Sequence, residues 1–211
     1  MRCVPLAAVA ALAAASCPAV TFAPSPAEIA AAAAAGEVLA AAGEGYPLAE
    51  YLVYQVPDAR QLRREDGCVD AVATATPLER TRHAAYLAAL ESRRIGAAAA
   101  RLEARLPDQS IEVVVFAHGR ERGDATFTER FRAVRLLVGG GEVKPVSTEA
   151  SEPVEATYPL AIGDAHRAVA TVTWRFELAA YADDATPLAW LRFTDPCGED
   201  FRVALPLAAL R

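Results

Sequence analysis

A hydrophobic run, Val113-Val114-Val115-Phe116-Ala117, ends in His118-Gly119. A histidine at a strand end is a place where general acid–base or acyl-transfer chemistry could begin. Acyl transfer also needs a serine on a sharp turn of the form Gly-x-Ser-x-Gly. None of Ser25, Ser92, Ser110, Ser147 or Ser151 has glycines at those offsets. The three histidines, His83, His118 and His166, include no two at zinc-ligand spacing. His83 lies near Glu79 on a helix face and is expected in water, and His166 follows Asp164, with which it could pair. Asp195, Glu199 and Asp200 gather at a turn, and Asp183-Asp184 lie in a nearby connection. They lack the Asp-x-Asp-x-Asp-Gly spacing of a calcium loop, so solvated turn residues are expected. Gly139-Gly140-Gly141 joins two strand-like runs rather than opening a helix, which is not how a phosphate loop is built. These residues predict no enzyme, no metal and no cofactor.

The cysteines carry more information. There are four, Cys3, Cys17, Cys68 and Cys197, none in the Cys-x-x-Cys spacing of thiol-redox chemistry. After Arg2, the apolar stretch from Cys3 to Ala15 has the length of a secretory signal, roughly 7–15 residues. It has no polar face with which a first helix could sit at a domain surface. Two cleavage modes fit. Ala13-Ala14-Ala15 before Ser16 suits a conventional signal peptidase, while Ala14-Ala15-Ser16-Cys17 is similar to the bacterial lipobox, with Ala14 replacing the usual leucine. In the second mode Cys17 carries lipid and becomes the first residue of the mature chain.

Cysteine parity bears on the choice. Cys3 leaves with the signal in either mode, and a lipidated Cys17 leaves Cys68 and Cys197 as an even pair for an oxidising compartment. A Cys68–Cys197 bridge would close a long loop and stabilise by up to roughly 4–5 kcal/mol through chain entropy. Two buried free thiols are the other reading.

The 211 residues are 54% hydrophobic and 23% charged, the balance of a folded domain rather than a disordered one. Lys144 is the only lysine among 21 basic residues, a bias that reads as GC-rich base composition and not as function. A net charge of -6 opposes a sequence-independent grip on nucleic acid, which needs a clustered positive face. Arg60, Arg63 and Arg64 are followed at once by Glu65 and Asp66. After residue 23 no apolar stretch reaches the length needed to span a bilayer.

The elements that must position these residues divide into a helical part and a β part. Ser25-Pro26-Ala27-Glu28 is a capping box with proline at the first helical position, predicting a helix over residues 26–42 that ends at Gly43. Residues 48–56 and 69–74 read as strands. Thr76-Pro77-Leu78-Glu79 is a second capping box. Its helix would turn Tyr86, Leu87 and Leu90 inward, with Gly96 as a break and Pro107 as its end. From Ser110 onward the period changes to two. Strands are expected over 111–117, 127–138, 168–180, 188–194 and 201–205, with 143–146 completing a hairpin and the acidic stretch 147–157 as loop. The clearest is 168–180, where Ala170, Val172, Trp174, Phe176 and Leu178 alternate with Thr171, Thr173, Arg175 and Glu177.

The expected fold is therefore mainly β with appended helices: an antiparallel Ig-like β-sandwich of about seven strands plus two α-helices. Residues 1–17 would be the signal peptide, 18–25 a tether, 26–107 helical segments with one or two strands, and 108–211 the sandwich core. The expected role is an exported bacterial envelope lipoprotein that binds or assembles with other envelope proteins. Its place would be the periplasm or the outer-membrane surface, with membrane contact only through lipid on Cys17. A small secreted enzyme or ligand-binding protein with a dispersed site is the alternative.

Overall fold

The structure is a computed structural model that describes residues 23–56, 67–159, 164–181 and 188–207, with the backbone alone at 159 and 164. Cys17, the signal segment and Asp183-Asp184 lie outside the described residues. The fold is mainly β, with two antiparallel sheets and three α-helices. The larger sheet contains β1 (Leu52–Gln55), β2 (Val69–Ala75), β3 (Ser110–His118), β8 (Asp164–Glu177) and β6 (Ser147–Ala150), in that order. A further strand, β7 (Val154–Pro159), also pairs with β8. The smaller sheet runs β10 (Asp200–Leu205), β9 (Ala189–Thr194), β4 (Arg132–Val138) and β5 (Gly141–Val143).

The alternation read in β8 is the axis of the larger sheet. Val172, Trp174 and Phe176 are fully or almost fully buried, and they join Val113 and Val115 of β3 in one core with Leu136, Leu191 and Phe193 of the smaller sheet. Trp174 meets Phe193 at 5.1 Å and Phe131 at 5.4 Å between ring centroids. Each such side chain removed from water contributes roughly 1.5–3 kcal/mol, so the faces turned toward one another supply most of the cohesion. Strand count exceeds expectation because β6 and β7 fall in the acidic stretch read as loop. The short β6 shows no apolar alternation, and β7 alternates only from Val154 to Tyr158, both lying at the sheet edge and held by main-chain bonds to the long β8. Two more segments differ at their starts: residues 48–51 and 127–130 form 3₁₀ turns before β1 and β4.

The helices follow their caps. Helix α1 spans Pro26–Ala42, with Ser25 and Glu28 forming both halves of the capping box and Gly43 in the left-handed conformation behind it. Helix α2 spans Pro77–Leu90, and α3, Ala97–Glu103, is a separate helix opened by Gly96. The α1–α2 crossing is set by Gly36. A Cβ there would stand 2.2 Å from the Arg82 carbonyl oxygen and 2.9 Å from the Tyr86 nitrogen, so only hydrogen fits between the two backbones. So close an approach selects small residues. Helix α2 turns Thr81, Ala85 and Ala88 inward, and Leu87 and Leu90, expected inside, are exposed.

Helix α2 is tied to β3 by Glu112, a nearly buried carboxylate. It accepts from Arg80 Nε at 2.6 Å and from Arg175 at 3.2 Å. Two guanidinium partners satisfy a charge that would otherwise be costly to bury.

Candidate functional site

Cys68, just before β2, and Cys197, in the β9–β10 turn, form a disulfide with Cα atoms 5.6 Å apart. The bridge therefore links the larger sheet to the smaller. Asp195 organises it: Oδ2 accepts from the Cys68 N–H at 2.5 Å, and Oδ1 accepts from the N–H groups of Cys197 and Glu199 at 2.9 and 2.8 Å. Asp195 was expected to be a solvated turn residue and is instead fully enclosed, because three main-chain donors converge on it. Gly67 admits this approach. Its φ is +76°, and a Cβ would lie 2.8 Å from Asp195 Oδ2. The two sulfurs and Asp195 lie close enough to suggest metal ligands, but disulfide sulfurs are not thiolates and do not ligate as such.

His118 is brought together with residues that its sequence neighbourhood does not indicate. Between Val69 and Ala71 the register of β2 against β3 shifts by one, and Asp70 is the extra residue of this bulge. A bulge re-aims a side chain. Here the Asp70 carboxylate reaches across to His118, with Oδ1 3.0 Å from Nδ1. A carboxylate only accepts, so Nδ1 carries the hydrogen and the neutral ring keeps its lone pair on Nε2. The other oxygen, Oδ2, accepts from the Tyr158 hydroxyl at 2.8 Å, and the Tyr158 ring lies 5.3 Å from that of His118. Burial first, and then the Asp70 charge, hold the Tyr158 hydroxyl well above the usual phenol range, so it remains a donor. Tyr158 arrives because β7 and the first residues of β8 run past the end of β3 as a two-stranded arm.

Asp70 and Tyr158 line an open groove of about 660 Å³ on the face of the larger sheet turned away from the core. Phe116, Val154, Ala156 and Val169 supply apolar lining, while Gln55 and Glu152 stand on opposite sides. The volume and the mixture of apolar wall with a few polar groups match those of small-molecule sites. No lining residue is basic, and two are acids.

Triad chemistry is incomplete here. The His118 ring is hydrogen-bonded to one carboxylate and, among the described residues, to no hydroxyl or thiol that could serve as nucleophile. His83 is half-buried rather than solvated. Its ring stands edge-on to Tyr46 at 4.6 Å, and burial, then the charge of Arg80, lower its pKa. His166 lies beside Thr157 and Glu155, at 3.3 and 3.6 Å. Of these three residues the sequence marks His118 but not Asp70 or Tyr158. A lone carboxylate in the apolar run Val69-Asp70-Ala71-Val72 was the one available clue. No protein-family model and no curated protein matches this chain.

Proposed function

We propose that this is an exported bacterial envelope protein: a non-enzymatic binding module, built as an Ig-like sandwich and held at a membrane by lipid on Cys17. Its ligand site is the groove on the larger sheet, and the ligand is an apolar molecule carrying a hydrogen-bond donor or a positive charge. The observation that carries the reading is the pairing of apolar walls with Asp70, a half-buried carboxylate positioned by a bulge and lining the groove. Two of its acceptor sites are occupied by His118 and Tyr158, and a carboxylate has about four. Export is supported by the disulfide, which persists in oxidising compartments. Among the described residues no helix is long and apolar enough to cross a membrane.

Amide NMR with paired probes tests the groove. Heptylamine should shift the signals of Ala71, Phe116, Val154 and Thr171, and heptanoate should leave them in place. Asp70→Asn should weaken the amine about tenfold, the loss of one charge-assisted bond at roughly 1.4 kcal/mol. Equal response to acid and amine would sink the assignment. The anchor is tested by the intact mass of the mature protein from a bacterial envelope, expected to begin at Cys17 with added diacylglycerol. An unmodified chain beginning at Ser16 or later would remove it.

The second reading is a small exported enzyme in which His118, oriented by Asp70, acts as a base through Nε2. It gains ground if His118→Gln abolishes turnover of an ester or glycoside while leaving heptylamine binding intact.

A further inference from the structure

The outward face of the smaller sheet carries a row of three arginines. Register places Arg202 of β10 directly opposite Arg192 of β9, and Arg192 directly opposite Arg135 of β4. Directly paired side chains on one face have Cβ atoms roughly 4.5–5.5 Å apart, where like charges repel and destabilise the sheet. Two of the three have company. Arg135 donates to Glu142 at 3.3 Å, and the Arg202 guanidinium carbon lies over the Trp190 ring, 4.0 Å from its centroid. Arg192, with an arginine on either side, is exposed and has no ion pair among the described residues.

Three further features mark the place. The Nε of Arg135 is buried without a hydrogen-bond partner, an uncompensated donor of the kind that costs about 1–3 kcal/mol. The three arginines line a depression of about 440 Å³. The depression lies beside a bulge in β4, where Ala133 takes a φ of +52°, a left-handed conformation that is strained for a residue with a Cβ. One carboxylate, Asp200, stands on the rim and is already engaged, accepting from the Thr194 hydroxyl at 2.7 Å.

We propose that this depression is an anion site for a phosphate group, bridged by the forks of Arg135, Arg192 and Arg202. Guanidinium forks match the oxygens of a phosphate two at a time. A bound dianion would cancel the repulsion along the row. The same chemistry is offered by a free phosphorylated solute and by an anionic lipid headgroup. The site lies on the opposite outer face from the groove and does not depend on it.

The test titrates pyrophosphate into the full chain at low salt, following amide signals, and in parallel measures co-sedimentation with vesicles of phosphatidylcholine with or without phosphatidylglycerol. Shifts confined to Ala133, Arg192, Thr194 and Arg202 are expected in the first arm for a free solute. Sedimentation only with the anionic vesicles is expected in the second for a headgroup, and either arm supports the site. Arg192→Gln should weaken whichever binding is seen at least tenfold while leaving the unfolding midpoint unchanged or raised, because a like-charge contact is relieved. Arg135→Gln provides a second variant should that protein fail to fold. Arg94→Gln, on an exposed arginine in the helical part, should change nothing. Silence in both arms, or an equal loss in Arg94→Gln, would overturn the proposal.

Discussion

Replacing both bridge cysteines with serine (Cys68→Ser with Cys197→Ser) should lower the free energy of unfolding by about 4–5 kcal/mol. The bridge spans 129 residues of sequence. The loop-closure entropy it removes from the unfolded chain scales with the logarithm of that length, about 5 kcal/mol at this size. Domains hold only about 5–15 kcal/mol in total, so the loss is a large share. Urea titration gives the clearest measurement. The midpoint should fall while the slope rises, since an uncrosslinked unfolded chain exposes more surface. The native hairpin should persist in the variant, because Asp195 still gathers the amides of residues 68, 197 and 199. A loss below about 1 kcal/mol would show that the unfolded chain is already confined by other means.

Stability should also fall as pH rises from about 4.5 to 7, through Glu79. This carboxyl is buried, with Oε1 accepting from the Tyr46 hydroxyl at 3.1 Å and Oε2 without a partner. Burial pushes it up to about 7, against the pull of Arg80, the Tyr46 hydroxyl and Arg82, with Glu112 adding to the rise. The folded state therefore holds a proton that the unfolded state has released above its ordinary value of 4.5. The stabilising contribution is complete below pH 4.5 and lost once pH passes 7, amounting to something on the order of 3 kcal/mol.

Glu79→Gln keeps the acceptor for Tyr46 and cannot ionise, so it should remove this slope and be the more stable protein at pH 8. The difference between the two curves isolates Glu79 from His83, whose lowered pKa works in the opposite sense by costing stability as pH falls below its ordinary 6.5. Parallel curves for the two proteins would exclude a buried acid at this position.

What was legible in the sequence follows from where local rules decide the outcome. The α1 caps were readable because Ser25, Pro26, Glu28 and Gly43 act within a turn of the residues they satisfy. Strand β8 was readable because its inward face is continuous from Ala170 to Phe176. The second capping box was half right: Thr76 accepts from the Glu79 N–H, but the Glu79 carboxyl is taken by Tyr46, 33 residues away. The inward face of α2 was read correctly at Tyr86 and misread at Leu87 and Leu90, because Gly36, on another helix, brings the backbones together beside Ala85. Strand β6 was missed because an edge strand is held by main-chain bonds that leave no pattern in residue type, and β7 because its alternation from Val154 to Tyr158 is short and set among acids. The groove was invisible for a related reason. It depends on a one-residue register shift at Asp70 and on Tyr158 arriving on a strand that begins inside a segment read as loop. The arginine row likewise exists only once two registers are known.

The inter-sheet bridge has a consequence for the order of events at synthesis. No cysteine occurs between residues 68 and 197, so a chain emerging from its N-terminus carries Cys68 as a waiting thiol until nearly the last hairpin has appeared. The sulfurs that precede it are Cys3 and Cys17. Under the proposed processing the first is discarded and the second is capped as a thioether. A molecule matured in that way has one route to its covalent state and no shuffled isomers to correct. A molecule whose Cys17 escapes lipid retains a competitor for Cys68 throughout the wait, so failed anchoring and mispaired disulfides should appear together.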